Sequence, residues 1–173
     1  LAMPERDGAN RYFSYIIVPR TSPAQALSDL RGRRFVYVDP LSYSGYIELR
    51  ARLRTMGEDP EHFFGSYYFT YSHDDSLRAV VDGGVIASLT YDYYRVNAPA
   101  ILDKIRLLEA MPGSGMGPVV ARRDLRDADA VQEILLHLNE DSEAKEAMQH
   151  LLIDRFVPPQ PELYPQFSPE EGI

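Results

Sequence analysis

Small polar residues follow a buried, strand-like segment in the stretch Val38-Asp39-Pro40-Leu41-Ser42-Tyr43-Ser44-Gly45. Where a helix begins, its first N–H groups have no intrahelical acceptor, and the helix dipole favours negative charge there. The hydroxyls of Ser42 and Ser44 add donors, and Gly45 lets the backbone approach a tetrahedral oxyanion closely. These residues predict an anion-binding loop. An ordinary serine N-cap beside a glycine turn is the alternative that the loop alone leaves open.

Two later loops carry compatible chemistry. Ser72-His73-Asp74-Asp75 has the spacing of a capping box, and the imidazole of His73 could donate a hydrogen bond to an oxyanion. A histidine that only packs near a helix start is the alternative. Tyr91-Asp92-Tyr93-Tyr94 follows another strand-like segment and could give a ligand an aromatic wall and a carboxylate. An aromatic sheet edge explains that segment equally well.

Motifs for other chemistries do not occur in the sequence. There is no Gly-x-Ser-x-Gly elbow, P-loop or dinucleotide fingerprint. His62, His137 and His150 lack metal-type spacing, so neither a metal nor a cofactor is predicted. Binding without catalysis is the predicted activity, and an enzyme is not.

Charge and composition restrict the class further. The 173 residues have a net charge of -8. The acidity lies in residues 124–173, which contain three Lys/Arg and twelve Asp/Glu and so have a net charge of -9. Because no basic stripe with interleaved aromatics occurs, nucleic acid is not an expected partner. Cysteine is absent, which excludes thiol chemistry and disulfides. We expect neither a membrane span nor a signal peptide within this sequence.

The order of elements predicts an α/β fold with a central, mostly parallel sheet flanked by helices. Aromatic and β-branched runs predict five strands, at 12–18, 34–38, 66–71, 85–90 and 119–122. Apolar residues at helical spacing predict helices that start near residues 46, 73, 127 and 142, and Gly57 is placed to end the first of them. Ligands of such sheets bind beyond the carboxyl ends of the strands, which is where all three loops are expected.

Taken together, the motifs resemble a known family. "SDLRGRRFVYVDPLSYSGYIELRARLRTMGEDPEHFF", "SHDDSLRAVVDGGVIASLTYD" and "GPVVARRDL", followed by a helical C-terminus, are similar to the phosphate/phosphonate substrate-binding proteins of ABC transporters. The resemblance runs from about residue 12 to about residue 157. It implies the type II periplasmic binding fold, in which two α/β lobes close on an oxyanion held at helix N-termini.

The resemblance also assigns residues to the site. It implies that the anion loop of the family falls on Ser42, Tyr43, Ser44 and Gly45, and that the Ser-His motif falls on Ser72 and His73. Asp92, with Tyr91 or Tyr93, would then meet the rest of the ligand. Tyr43 departs from the family pattern, since threonine is usual at that position.

The chain is expected to correspond to the second lobe of such a protein, because the opening α/β unit that precedes the equivalent of Tyr12 is absent. Residues 1–125 would form the ligand-binding lobe, and residues 126–173 would be C-terminal helices and a Pro-rich tail that returns toward the first lobe. The sequence would then be a fragment, or the natural chain would continue upstream. A lone lobe is expected to self-associate through its apolar inner surface.

The function implied is uptake of phosphonate, phosphite or phosphate in the periplasm, with an ABC transporter permease as partner. A sensor domain of the same fold that feeds a membrane signalling protein remains an alternative. An enzyme on this fold, as in thiamin-precursor biosynthesis, is a weaker one.

Overall fold

The computed structural model describes residues 1–81, 86–87, 99–111 and 113–164. Internal contacts divide this part of the chain into two compact units. One contains residues 1–12 and 114–164, and the other contains residues 13–113. The boundary predicted near residue 125 stays a prediction.

The described residues of the larger unit form five strands and three α-helices. The strands are β2 (Ser14–Pro19), β3 (Arg34–Tyr37), β4 (Ser66–Phe69), β5 (Ile86–Ala87) and β6 (Ile105–Met111). The helices are α1 (Glu48–Thr55), α2 (His73–Val81) and α3 (Pro99–Leu102), with a short 3-10 turn at Leu27–Leu30. Strand β2 pairs antiparallel with β5 and β6, whereas β3 pairs parallel with β4.

Alternating side chains of β3 supply two apolar clusters. Phe35 and Tyr37 are fully buried in a cluster that contains Leu49 and Leu53 of α1. Val38, one position further, belongs to a second cluster with Leu77 and Val80 of α2. Because successive residues of a strand point to opposite faces, α1 and α2 cover different faces of this strand pair.

The smaller unit joins the two ends of the described chain. Strand β1 (Met3–Glu5) pairs antiparallel with β7 (Arg155–Val157). In the segment that precedes β7, the chain forms α4 (Ala128–His137), a 3-10 turn at Leu138–Glu140 and α5 (Ser142–His150). Asp141 caps α5 by accepting a hydrogen bond from the N–H of Ala144 at 2.8 Å.

Most predicted elements are confirmed, with their ends shifted by a few residues. The strands at 12–18, 34–38 and 66–71 correspond to β2, β3 and β4, and the four predicted helices correspond to α1, α2, α4 and α5. Gly57 ends the first helix in the left-handed conformation, with a φ of 78°. Of the strand predicted at 85–90, only residues 86–87 are described, and they form β5.

The structure differs from the sequence-based expectations about strands at three points. Residues 119–122 form no strand, because pairing stops at a single bridge between Val119 and Ala2 and the next residue, Val120, is 77% exposed. Strand β6 was not predicted, since Arg106 and Glu109 interrupt its apolar pattern. The description of the sheet as mostly parallel is also wrong for the described residues, where β3–β4 is the one parallel strand pair among four.

Candidate functional site

Two of the predicted loops start side by side, because they follow neighbouring parallel strands. The pairing of β3 with β4 continues past both strand ends: the N–H of Thr70 donates to Tyr37 O at 3.1 Å, and the N–H of Tyr71 donates to Val38 O at 2.7 Å. Carboxyl ends of parallel strands lie at one edge of a sheet. The Asp39–Gly45 loop and the Ser72–His73 loop therefore leave the same edge.

Asp39 shapes the first part of the anion loop. Its carboxylate accepts a hydrogen bond from the N–H of Leu41 at 2.8 Å, and its carbonyl accepts one from the N–H of Ser42 at 3.1 Å. An Asp side chain that bonds the backbone two residues on favours a tight turn. The turn carries the chain from the buried end of β3 into the next helix.

That helix starts with a π-helical turn, Tyr43–Ile47, which leads directly into α1. The first intrahelical bond runs from the N–H of Ile47 to the carbonyl of Ser42 at 3.1 Å. The N–H groups of residues 43–46 precede this bond, and Ser42 Oγ accepts that of Gly45 at 3.1 Å. Ser42 is thus an N-cap, as the simpler interpretation of the loop predicts, and the positive end of the helix dipole lies at the same place.

Gly45 is required by packing at this turn. A Cβ on Gly45 would lie 2.6 Å from Val38 Cγ2 and 2.8 Å from Ser42 Oγ, and both distances are shorter than van der Waals contact. The carbonyl of Gly45 also accepts a hydrogen bond from the N–H of Val38 at 3.3 Å. The loop is therefore held against the end of β3.

Ser44 is buried, with 5% of its surface exposed, and its carbonyl accepts a hydrogen bond from a neighbouring strand. The hydroxyl of Ser14, a fully buried residue of β2, donates to this carbonyl at 2.5 Å. The Ser44–Gly45 peptide group is thus bonded at both ends, by Ser14 at its oxygen and by Ser42 at its nitrogen.

Ser72 caps α2, as its sequence predicts. Its hydroxyl accepts a hydrogen bond from the N–H of Asp75 at 3.2 Å, and its carbonyl accepts one from the N–H of Ser76 at 3.0 Å. Thr70 holds the turn from the other side by donating from its hydroxyl to the carbonyl of Ser72 at 2.8 Å. The first residue of α2 is therefore His73, which starts the helix at the edge shared with the anion loop.

His73 is exposed, yet neighbouring protein atoms partly desolvate its ring and lower its pKa. The carboxylates of Asp39 and Asp74 oppose this effect by favouring the charged form. The interaction with Asp39 links the histidine electrostatically to the turn that opens the anion loop. Because the lowered pKa lies below the usual 6.5, the ring is neutral at pH 7 and can donate one N–H.

Tyr43, the residue that departs from the family pattern, is half-buried at the start of the π-helical turn. Burial raises the pKa of its phenol, and the nearby carboxyl of Glu48 raises it further. The side chain is therefore an uncharged phenol at neutral pH.

The structure adds Glu48, which the sequence analysis did not select. An acid in the first turn of a helix is common, because the positive end of the helix dipole stabilises its negative charge. The sequence alone therefore gives no signal for a site. Here the residue is only 9% exposed, and its Oε2 is buried without a hydrogen-bond partner among the described residues. Burial raises the pKa of Glu48 to about 7, and a hydrogen bond with Ser14 opposes the shift.

The third predicted loop cannot be placed. Tyr91, Asp92 and Tyr93 lie outside the described residues. Their predicted role toward the far end of a ligand stays a prediction.

A surface cavity of about 670 Å³ opens elsewhere in the larger unit. Its lining residues are Pro19, Thr21, Ser22, Pro23, Ala24, Asp29, Leu30 and Arg33. Arg33 immediately precedes β3, so this cavity lies at the amino end of that strand, whereas ligands of α/β sheets bind beyond carboxyl ends. We therefore base the candidate site on the two loops.

The described ranges contain neither a metal-binding cluster nor a membrane-spanning helix. No group of three or more His, Asp or Glu side chains there is arranged to hold a metal ion. Among the helices of the same ranges, none has the length and apolar character needed to cross a membrane.

Solved structures with the same fold support the α/β assignment. A protein of Prochlorococcus marinus, PhnD1, in complex with methylphosphonate is 20% identical with a TM-score of 0.78, and the match covers 95% of this chain and 67% of that one. A binding protein component of an ABC phosphonate transporter from Pseudomonas aeruginosa is 20% identical with a TM-score of 0.75, covering 90% and 55%. A Xanthomonas citri protein bound to chloride ion is 22% identical with a TM-score of 0.73, covering 94% and 64%. The expected type II periplasmic binding fold is confirmed.

The chain thus spans between about half and two thirds of the length of these proteins. No curated protein matches it. The family described as "ABC transporter, phosphonate, periplasmic substrate-binding protein" matches residues 1–164. The chain belongs to this family of periplasmic substrate-binding proteins.

Proposed function

We propose that the chain is the oxyanion-binding lobe of a solute-binding protein that delivers phosphonate, phosphite or phosphate to an ABC transporter permease. The observation that carries this proposal is the meeting of two capped helix N-termini at one sheet edge. One begins at Ser42 and the other at Ser72, and they follow strands that are hydrogen-bonded to each other. Two helix starts present N–H groups and two positive dipole ends to a single ligand.

Each predicted residue has a role in this proposal. Ser42, Tyr43 and Ser44 supply backbone N–H and hydroxyl donors to the oxyanion, and Gly45 lets the backbone approach it closely. Neutral His73 adds a ring N–H. Asp92, with Tyr91 or Tyr93, meets the organic part of the ligand. The methylphosphonate complex of the Prochlorococcus protein, whose fold is similar, supports a phosphonate as the ligand.

In the proposed mechanism, the ligand is bound in a cleft between two lobes, and closure of the lobes follows binding. Ligand binding and lobe closure take place in the periplasm, where the permease binds the closed, ligand-bound protein. No bond of the ligand is made or broken.

The experiment is calorimetric titration of the full-length protein with methylphosphonate, phosphite and phosphate, repeated for His73→Ala. Hydrogen bonds to charged groups contribute about 1.5–3 kcal/mol, so we expect the variant to lose at least about tenfold in affinity. The matched control is His62→Ala, because the His62 side chain is 85% exposed and pairs with Asp59 outside both loops. Absence of binding heat and of any melting shift with all three anions would refute the oxyanion assignment.

We also propose that the isolated chain self-associates. Leu41, in the anion loop, and Tyr71, directly before Ser72, are 66% and 73% exposed. Sedimentation of the isolated chain across a concentration series is expected to show association that the full-length protein lacks. A monomer at all concentrations would contradict this.

A further inference from the structure

Glu48 combines three properties that rarely occur together. It is 9% exposed, its Oε2 is buried without a described partner, and it is the first residue of α1, directly after the π-helical turn in which the anion loop ends. An uncompensated carboxylate is costly to bury, so a group in this environment favours its neutral form. The raised pKa of Glu48, about 7, agrees with this geometry.

Neighbouring cations do not neutralise Glu48 in the described part of the chain. Arg52, one turn further along α1, pairs with Glu109 of β6 at 3.2 Å. Arg50 pairs with Glu61 and lies over the ring of Tyr46. The phenol of Tyr43 is close enough for the charge of Glu48 to help raise its pKa, after the effect of burial.

Other ionisable groups lie on the strands that pack around α1, and the structure gives each described cation among them its own partner. Arg106 of β6 donates to the carbonyls of Ser22 and Ala24. Arg34 of β3 lies over the ring of Tyr68. The remaining groups on these strands are Tyr15, Tyr37 and Glu109, and Tyr67 and Tyr68 on β4.

Ser14 connects Glu48 to the anion loop. Its hydroxyl has one proton, which it donates to the carbonyl of Ser44 at 2.5 Å. The same hydroxyl is close enough to the Glu48 carboxyl to oppose the rise in its pKa. When the carboxyl is neutral, its own O–H can donate to Ser14, and the bond from Ser14 to Ser44 is kept. When the carboxyl is ionised, it competes with the Ser44 carbonyl for the single proton of Ser14.

We propose that Glu48 is a positioning residue of the anion loop, which binds oxyanions when Glu48 is neutral and more weakly when Glu48 is ionised. The inference rests on the proposed function, because it concerns the same loop. Ionisation weakens binding in two ways. It frees the Ser44 carbonyl from Ser14, so that the Ser44–Gly45 peptide group is held at one end only, and it puts a negative charge behind an anion site.

The test compares the full-length protein with its Glu48→Gln variant, using methylphosphonate and affinities measured from pH 5.5 to 8.5. The ionisation of the ligand affects both proteins equally, so it cancels in the ratio of their affinities. We expect the affinity of Glu48→Gln divided by that of the unchanged protein to be near one at pH 5.5. This ratio should rise about fivefold or more by pH 8.5. The matched control is Glu143→Gln, since Glu143 is an exposed first-turn acid of α5 and its ratio should stay flat.

A ratio for Glu48→Gln that is constant across this range, while both proteins bind, would overturn the inference and leave the proposed function standing. Failure of both proteins to bind at every pH would instead refute the proposed function.

A second measurement needs no variant. Infrared spectra of the native protein are expected to show a neutral carboxyl at pH 6 that ionises near pH 7. Saturation with methylphosphonate should keep it neutral to higher pH, because coupling between two binding events is reciprocal. A protein whose carboxyls are all ionised at pH 6 would contradict the inference even if Glu48→Gln does not fold.

Discussion

At the scale of single residues, Tyr71 has an unusual backbone conformation beside the candidate site. Its φ is 57°, in the left-handed region that bulky side chains rarely adopt. The side chain is 73% exposed, and its ring lies 6.0 Å from that of Phe69. The N–H of Tyr71 is fixed by its bond to Val38 O at 2.7 Å, so the pairing of the two strand ends holds the residue in this conformation.

We expect Tyr71→Gly to be more stable than Tyr71→Ala by about 1 kcal/mol, because both remove the exposed ring and only glycine removes the Cβ that disfavours positive φ. Urea unfolding of both variants measures the difference. Equal stabilities would show that the backbone at residue 71 relaxes without cost.

At the scale of elements, the start of α1 depends on close contact between the loop and the strand before it. The π-helical turn brings Gly45 against Val38, which is itself buried in the α2 cluster. A change in the loop is therefore transmitted to the packing of the strand. The conformation of the anion loop and the packing of Val38 therefore depend on each other.

Gly45→Ala is expected to destabilise the protein by about 1–3 kcal/mol, since its Cβ would lie 2.6 Å from a Val38 methyl and the loop or the strand must move. Oxyanion affinity should fall with it, because the loop donors move too. Gly117→Ala is the matched control, as a Cβ there meets no atom within 4 Å, and its effect should stay within about 0.5 kcal/mol. Chemical denaturation and calorimetry measure the two quantities. Native stability in Gly45→Ala would disprove the packing role.

At the scale of the whole molecule, the two ends of the described chain are joined in one unit. Residues of β1 pair with residues of β7 about 150 positions later, and Arg155 Nε lies 2.7 Å from Glu5 Oε1. The N–H of Asp7 donates to Asp154 Oδ2 at 2.6 Å, which extends the connection past the strand. An N-terminal segment of only three strand residues is thus held by the far end of the sequence.

Ending the chain after Asp154 is expected to remove hydrogen-exchange protection from the backbone of Met3–Glu5, because β7 is the strand that pairs with it. Arg155→Ala is the control: it keeps the strand and loses an ion pair whose arginine side chain is 56% exposed, for which we expect about 1 kcal/mol. Protection of β1 that survives truncation would mean that other contacts hold this segment.

The sequence by itself determined the local elements and the family. Caps such as Ser42 and Ser72, the C-terminal Gly57 and the apolar spacing of α1 act within a few residues, so they are readable from the chain. The order of the motifs was specific enough to identify the family. Strand β6 escaped prediction, because Arg106 and Glu109 break its alternation and find their partners only in the folded chain.

The tertiary structure decided which of these residues meet. The pairing of β3 with β4, 32 residues apart in register, brings the two loops to one edge. The burial of Glu48 and its connection through Ser14 to Ser44 depend on β2 packing behind the loop, and Ser14 is 30 residues away from Ser44 in sequence. Hydrogen bonds and desolvation depend on distance in space, and a first-turn glutamate therefore looks ordinary until the strand behind it is in place.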